Sequence, residues 1–100
     1  MEVLYEEPGN GFIGLSFNET LQAWVLHTDC KAWSVSEFKR YLKIMEIVKS
    51  DLKARGITEV YGICADKKAV RFNKMFGAKP TGHFAKMNTD EYELITKLEI

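Results

Sequence analysis

The stretch from Ser34 to Arg55 leaves this chain the fewest choices. Apolar side chains at Phe38, Tyr41, Leu42, Met45, Val48 and Leu52 recur at helical spacing along one face. Ser34 with Glu37 three residues on forms a capping box, in which each side chain satisfies an orphan amide at the other's end. Trp33 before the cap and Phe38 after it make the hydrophobic staple that fixes the entry angle. Gly56 follows Arg55 and takes the left-handed conformation that stops a helix. Lys39, Lys43, Lys49 and Lys53 largely avoid the stripe and read as a solvated face. A long helix striped on one side needs a surface to cover, and the flanking sequence supplies strands.

Residues 2–7 alternate as a short strand, and Pro8-Gly9-Asn10-Gly11 is a strong turn signal. Phe12 to Phe17 and Leu21 to His27 are rich in β-formers around the polar Asn18-Glu19-Thr20, which predicts a hairpin. After the helix, Thr58 to Cys64 reads as a strand. Asp66 then caps a shorter helix in which Ala69, Phe72 and Phe76 share a face and Gly77 is the stop. Residues 81–88, a turn at Asn88-Thr89-Asp90, and an alternating final run from Tyr92 to Ile100 complete the chain. The expected fold is α/β of the α+β kind, in the order βββ-α-β-α-ββ. A strand, a long helix and a strand imply a right-handed crossover and hence a central parallel pair. The hairpins at both ends make the sheet mixed, with two helices packed on it.

One hundred residues suit a single domain over 1–100. The 46% hydrophobic fraction argues against disorder, and no apolar run approaches the roughly 20 residues that span a bilayer. The acidic start is no signal peptide, so the expected home is a cytoplasm or the inside of a particle. Cys30 and Cys64 are too few for a disulfide framework, lack partners at zinc-ligand spacing, and read as reduced thiols. The formal net charge of zero hides a segregation. Residues 1–30 carry five acids and no Lys or Arg; residues 31–89 carry thirteen basic and five acidic side chains; residues 90–100 carry four acids and one Lys. Two readings follow: a basic middle that attracts an acidic partner, or, favoured here, ends that lie beside the middle in the fold.

The run Ala69-Val70-Arg71-Phe72-Asn73-Lys74-Met75-Phe76-Gly77-Ala78, following Asp66, carries a resemblance. It is similar to the Asn, then Ala-x-x-Phe-Tyr-x-x-x-Gly-Phe, found on the last helix of the GNAT superfamily of N-acetyltransferases. Ala and Phe there pack the helix onto the sheet and Gly caps it, so the pattern marks a fold and not an activity. The hairpin ending Thr28-Asp29, then Trp33 and Ser36, the Lys/Arg-rich long helix, and Arg71-Phe72 ahead of Phe76-Gly77-Ala78 resemble the short acetyltransferase-like proteins of tailed phages, internal virion proteins among them. This second likeness spans about residues 12–100 and implies a host cytoplasm or a phage particle as the location.

The resemblance also implies an acetyl-CoA site, and two departures bear on it. In the enzymes an Arg/Gln-x-x-Gly-x-Gly/Ala loop precedes the long helix and binds the coenzyme A pyrophosphate on backbone amides. Asp29-Cys30-Lys31-Ala32-Trp33-Ser34-Val35-Ser36 stands there instead, with no glycine. Its own Ser34/Glu37 pair occupies the helix amides and repels an anion. The helical Tyr that protonates the departing thiolate is replaced by Asn73, which has no proton to give near neutral pH. No catalytic residue is assigned. If coenzyme A binds at all, Lys31, Trp33, Ser34, Ser36 and Asn73 would meet it; no metal and no other cofactor is expected. His27, His83 and Glu19 are weak candidates, because no base-nucleophile spacing accompanies them.

Three functions stay open at this point. The first is a catalytically degenerate, acetyltransferase-like protein that contacts a virion or host protein through the cleft between the parallel strands or the basic face of Lys67, Lys68, Arg71 and Lys74. The second is an active acyl-CoA-dependent N-acetyltransferase with an atypical cofactor loop. In it the amides near Leu26-His27 polarise the thioester and Lys31 meets phosphate. The third is a nucleic-acid binder that stacks bases on Phe72 or Trp33; the neutral net charge counts against it. A membrane partner is not expected. A homodimer is open, because the amphipathic final strand reads as a sheet edge.

Overall fold

The computed structural model describes residues 1–31, 34–64, 66–86 and 92–100. Its elements run β1 (Glu2–Glu7), β2 (Gly11–Asn18), β3 (Ala23–Cys30), α1 (Val35–Ala54), β4 (Glu59–Cys64), α2 (Lys67–Met75), β5 (Lys79–Lys86) and β6 (Tyr92–Glu99). The class is mixed α+β: six strands form one sheet in the order β1-β2-β3-β4-β6-β5, with two helices. The β3–β4 pair is parallel and the other described pairs are antiparallel. The expected turn at 88–90 lies outside the described residues.

Both helices cover the same face of the sheet. Tyr41, Met45, Val48 and Leu52 of α1 join Ile13, Leu15, Val60, Leu98 and Phe76 in one buried cluster, each at 8% exposure or less. The α1 stripe therefore does what its spacing requires. At roughly 1.5–3 kcal/mol for each large aliphatic side chain fully buried, this cluster is the main hold on the fold. Gly56, at φ 83°, ends the helix where a side chain would be strained.

The elements depart from the sequence reading at several places. Leu21 and Gln22 belong to the β2–β3 turn, because the Asn18 side chain accepts the Leu21 amide at 2.9 Å and Gln22 sits at φ 52°. That local bond takes a donor the strand ladder would otherwise use. β5 begins at Lys79 and includes Pro80, which the sheet tolerates because β5 is an edge strand. The final strand is not an edge: β6 lies between β4 and β5, so the stated ground for a homodimer falls. Both true edges are irregular, β1 between Val3 and Tyr5 and β5 between Pro80 and Phe84, which discourages further pairing. No helix among the described residues is long and apolar enough to cross a membrane.

Candidate functional site

β3 and β4 are registered at the single pair Val25↔Tyr61, near the start of each strand. Beyond it the carboxyl ends, Leu26 to Cys30 on one side and Gly62 with Ile63 on the other, border a cleft of about 480 Å³. Parallel strands commonly bind ligands at that end, because the chain turns away and leaves backbone groups unpaired. The first two turns of α2 close one wall with Asp66, Lys68, Phe72 and Asn73. Of the residues expected from the sequence, this cleft gathers Leu26, His27, Lys68, Phe72 and Asn73.

The start of α1 holds Ser34 and Ser36. Ser34 Oγ accepts the Glu37 amide at 3.2 Å and lies 3.0 Å from Ser36 Oγ. The Ser34 carbonyl accepts the Phe38 amide at 2.9 Å as the first helical bond. Half of the capping box is thus formed. The other half is not the one expected, because both Glu37 carboxylate oxygens accept from Arg40, at 3.0 and 2.6 Å. A guanidinium satisfies a carboxylate better than one amide does. The exposed Lys31 gives its amide to the Asn10 carbonyl at 2.8 Å, which ties this segment to the β1–β2 turn. Trp33 and its staple lie outside the described residues.

Beside this helix start stands a cluster that the sequence did not reveal. The Glu7 carboxylate pairs with both terminal guanidinium nitrogens of Arg40, and accepts from Tyr5 at 2.7 Å, Tyr41 at 2.8 Å and Asn10 at 2.9 Å. The Arg40 bonds first, and then the tyrosine hydroxyls, hold Glu7 well below the usual carboxylate range. Arg40 also lowers Glu37. Burial, then the bond to Glu7, raises the Tyr41 phenol. Glu7 and Arg40 are 33 residues apart, so no local pattern announces the pair. Only the charge segregation hinted at it. A second pair, Glu2 with Arg55 at 2.8 Å, bears out the reading for the acidic N-terminal end, whereas Glu59 with Lys97 at 3.0 Å joins an acid of the middle to the one Lys of the C-terminal end.

Asn73 is committed to the fold. Its Nδ2 donates to the Ala69 carbonyl at 2.9 Å and to Cys64 Sγ at 3.0 Å. Below it a Cβ at Gly62 would stand 2.8 Å from Thr96 Oγ1, so that a side chain there forces Thr96 to shift, and 3.5 Å, an ordinary contact, from the Asn73 amide. The carboxamide is therefore a strut between α2 and β4, and it presents no acid to the cleft.

The four basic residues of α2 do not share one surface. Lys67, Arg71 and Lys74 line a groove of about 480 Å³ with Phe84 and Tyr92, while Lys68 faces the cleft. Phe72 leans on Phe76 at a ring distance of 5.0 Å and lines the cleft. His27 Nε2 lies 2.7 Å from Ser16 Oγ across the hairpin. Burial, then the nearby N-terminal ammonium, lowers its pKa and favours the neutral ring. The His83 amide donates to Thr81 Oγ1 at 3.1 Å, and the Glu19 carbonyl accepts from Gln22 at 2.6 Å. Neither of these two side chains shares the cleft. Among the described residues no three His, Cys, Asp or Glu side chains are grouped to hold a metal ion. A further hollow of about 930 Å³ lies at the opposite ends of β3 and β4 around Trp24, Tyr61 and Lys97, away from the α1 start and the cleft.

No known protein family, curated protein or solved structure matches this chain.

Proposed function

We propose that this chain is an interaction protein on an acetyltransferase-like scaffold of the tailed-phage kind, without acyl transfer, acting by contact with a virion component or a host protein. The observation that carries this reading is the occupied start of α1. A pyrophosphate docking there has to displace Ser34 Oγ from the Glu37 amide and approach the Glu37 carboxylate, and it meets the positive end of a helix already capped. Asn73 adds to the case, because its amide is spent on Cys64 and the Ala69 carbonyl and it holds no proton to lend a leaving thiolate.

Acetyl-CoA tests the reading in two ways. A ligand present at 100 times its dissociation constant stabilises a fold by about 2.7 kcal/mol, which thermal unfolding detects easily. We expect no shift, and no acetyl group on a lysine-containing peptide incubated with protein and coenzyme. A shift accompanied by acetylated peptide overturns the proposal.

One observation favours a second reading, an active acyl-CoA-dependent N-acetyltransferase. The β3–β4 cleft is open and large enough for an extended chain, at about 480 Å³. In this reading the amides near Leu26 and His27 polarise the thioester carbonyl. Lys31 meets phosphate, and the acid is a group other than Asn73. Saturable turnover that persists in Asn73→Ala is the result that establishes it.

A further inference from the structure

The cations of α2 divide by the surface they face, and the division points to a ligand. Lys67, Arg71 and Lys74 stand at i, i+4 and i+7, so they follow one another along a single face of the helix. All three are exposed, and no ion pair among the described residues engages them. Opposite them lie Phe84 of β5 and Tyr92 of β6, at 59% and 65% exposure. These are the two most exposed aromatic side chains among the described residues. Phe84 is registered across from Leu94, and Leu94 and Val70 form an apolar floor between the rings and the helix.

We infer that this groove holds an acidic, partly apolar segment of a partner protein in extended form, a conclusion that rests on the interaction-protein reading above. Three points fix the chemistry. The cations step along α2 by about 6 and then 4.5 Å. Alternate side chains of an extended strand are about 6.6 Å apart, so carboxylates at every second position reach successive cations. The residues between those carboxylates turn the other way, toward the apolar floor and the exposed rings, where aliphatic or aromatic side chains bury best. Aromatic and Arg side chains around an apolar centre are also the composition of a protein-protein contact. A single-stranded nucleic acid shares the taste for cations and rings. It needs a longer basic track than three side chains on a molecule of zero net charge; the one acid lining the groove, Asp66, is turned to the Ala69 amide as the helix cap.

The probe is a short fluorescein-labelled peptide of alternating glutamate and leucine, followed by fluorescence anisotropy with the full chain. We expect saturable binding that weakens as salt is raised, and loss of affinity by about tenfold or more in K67E/R71E/K74E, equivalent to about 1.4 kcal/mol. Because these side chains are exposed, circular dichroism should show the variant folded. Phe84→Ala with Tyr92→Ala should weaken binding without changing its salt dependence. Charge reversal of Lys39 and Lys43, on the exposed face of α1, should leave it unchanged. Equal binding of a glutamine-leucine peptide, an unchanged affinity in the triple variant, or tighter binding of an oligothymidine than of the acidic peptide each overturns the inference. Acetyl transfer with peptide binding intact removes the non-catalytic reading and leaves the groove standing; no transfer and no peptide binding does the reverse.

Discussion

The two helices lie on one face of one sheet and spend their arginines in opposite ways. α1 buries Tyr41, Met45, Val48 and Leu52, and its Arg40 and Arg55 are bound to Glu7, Glu37, Glu2 and Asp51. α2 has nine residues, buries none of them fully, and turns Lys67, Arg71 and Lys74 outward. α1 is therefore a structural helix whose arginines are consumed inside the chain, while its Lys39, Lys43 and Lys53 stay exposed. α2 is held by the Asp66 cap on the Ala69 amide at 2.8 Å, by the Asn73 bond to Cys64 Sγ at 3.0 Å and by Phe76 against Phe38 of α1, and its cations stay available. A basic residue carries information about partners only after the acids of its own fold have been counted.

The comparison can be broken most forcefully in the core. Leu52→Ala, at a side chain 1% exposed, should cost about 2–5 kcal/mol in urea unfolding. Val70→Ala on α2 should cost far less, and equal losses would erase the distinction between the helices. Gly62→Ala comes next, at about 1–3 kcal/mol, because its Cβ would stand 2.8 Å from the Oγ1 of the buried Thr96. Removal of the α1 cap by Ser34→Ala should cost about 1 kcal/mol. If the Asp66→Ala loss is much larger, α2 depends on its cap more than this account allows.

Acid sharpens the same contrast. Glu7 has a folded pKa held below its unfolded value, so its contribution is complete above the ordinary carboxylate range and is lost as pH falls through the depressed folded value. Glu7→Gln should flatten the acid limb of a stability-pH profile while leaving its slope between pH of about 6 and 8 unchanged. A profile identical to that of the parent chain would mean that the network contributes nothing. The smallest effect should come from K67E/R71E/K74E, which we expect to leave the unfolding midpoint where it is, since these groups serve no described partner within the fold.

What the sequence disclosed follows from the range of the interactions involved. The α1 stripe, the Ser34 and Asp66 caps and the Gly56 and Gly77 stops are local, set by residues within one or two turns, and they appear where periodicity puts them. Glu7 with Arg40, and Ser16 with His27, join residues 33 and 11 positions apart, and no spacing rule reaches them. Glu37 shows how tertiary contact overrides a local motif: the sequence assigns it to a capping box, and an arginine one turn on, steadied by Glu7, takes the carboxylate instead. The final strand alternates as an edge strand would, yet strand order places it inside the sheet, because alternation reports which face is buried and not which neighbours are paired. Likewise, the four cations of α2 read as one patch in the sequence, and the helical turn separates Lys68 from the other three.

The claim that α1 begins with its anion site already filled is open to one direct measurement. Acetyl-CoA titrated into the isotopically labelled chain, followed by proton-nitrogen correlation spectra, reports on the amides of Ser36, Glu37 and Phe38 individually. The account predicts that these three resonances hold their positions throughout the titration. Saturable movement of all three, with slowed exchange of the Glu37 amide, would contradict it.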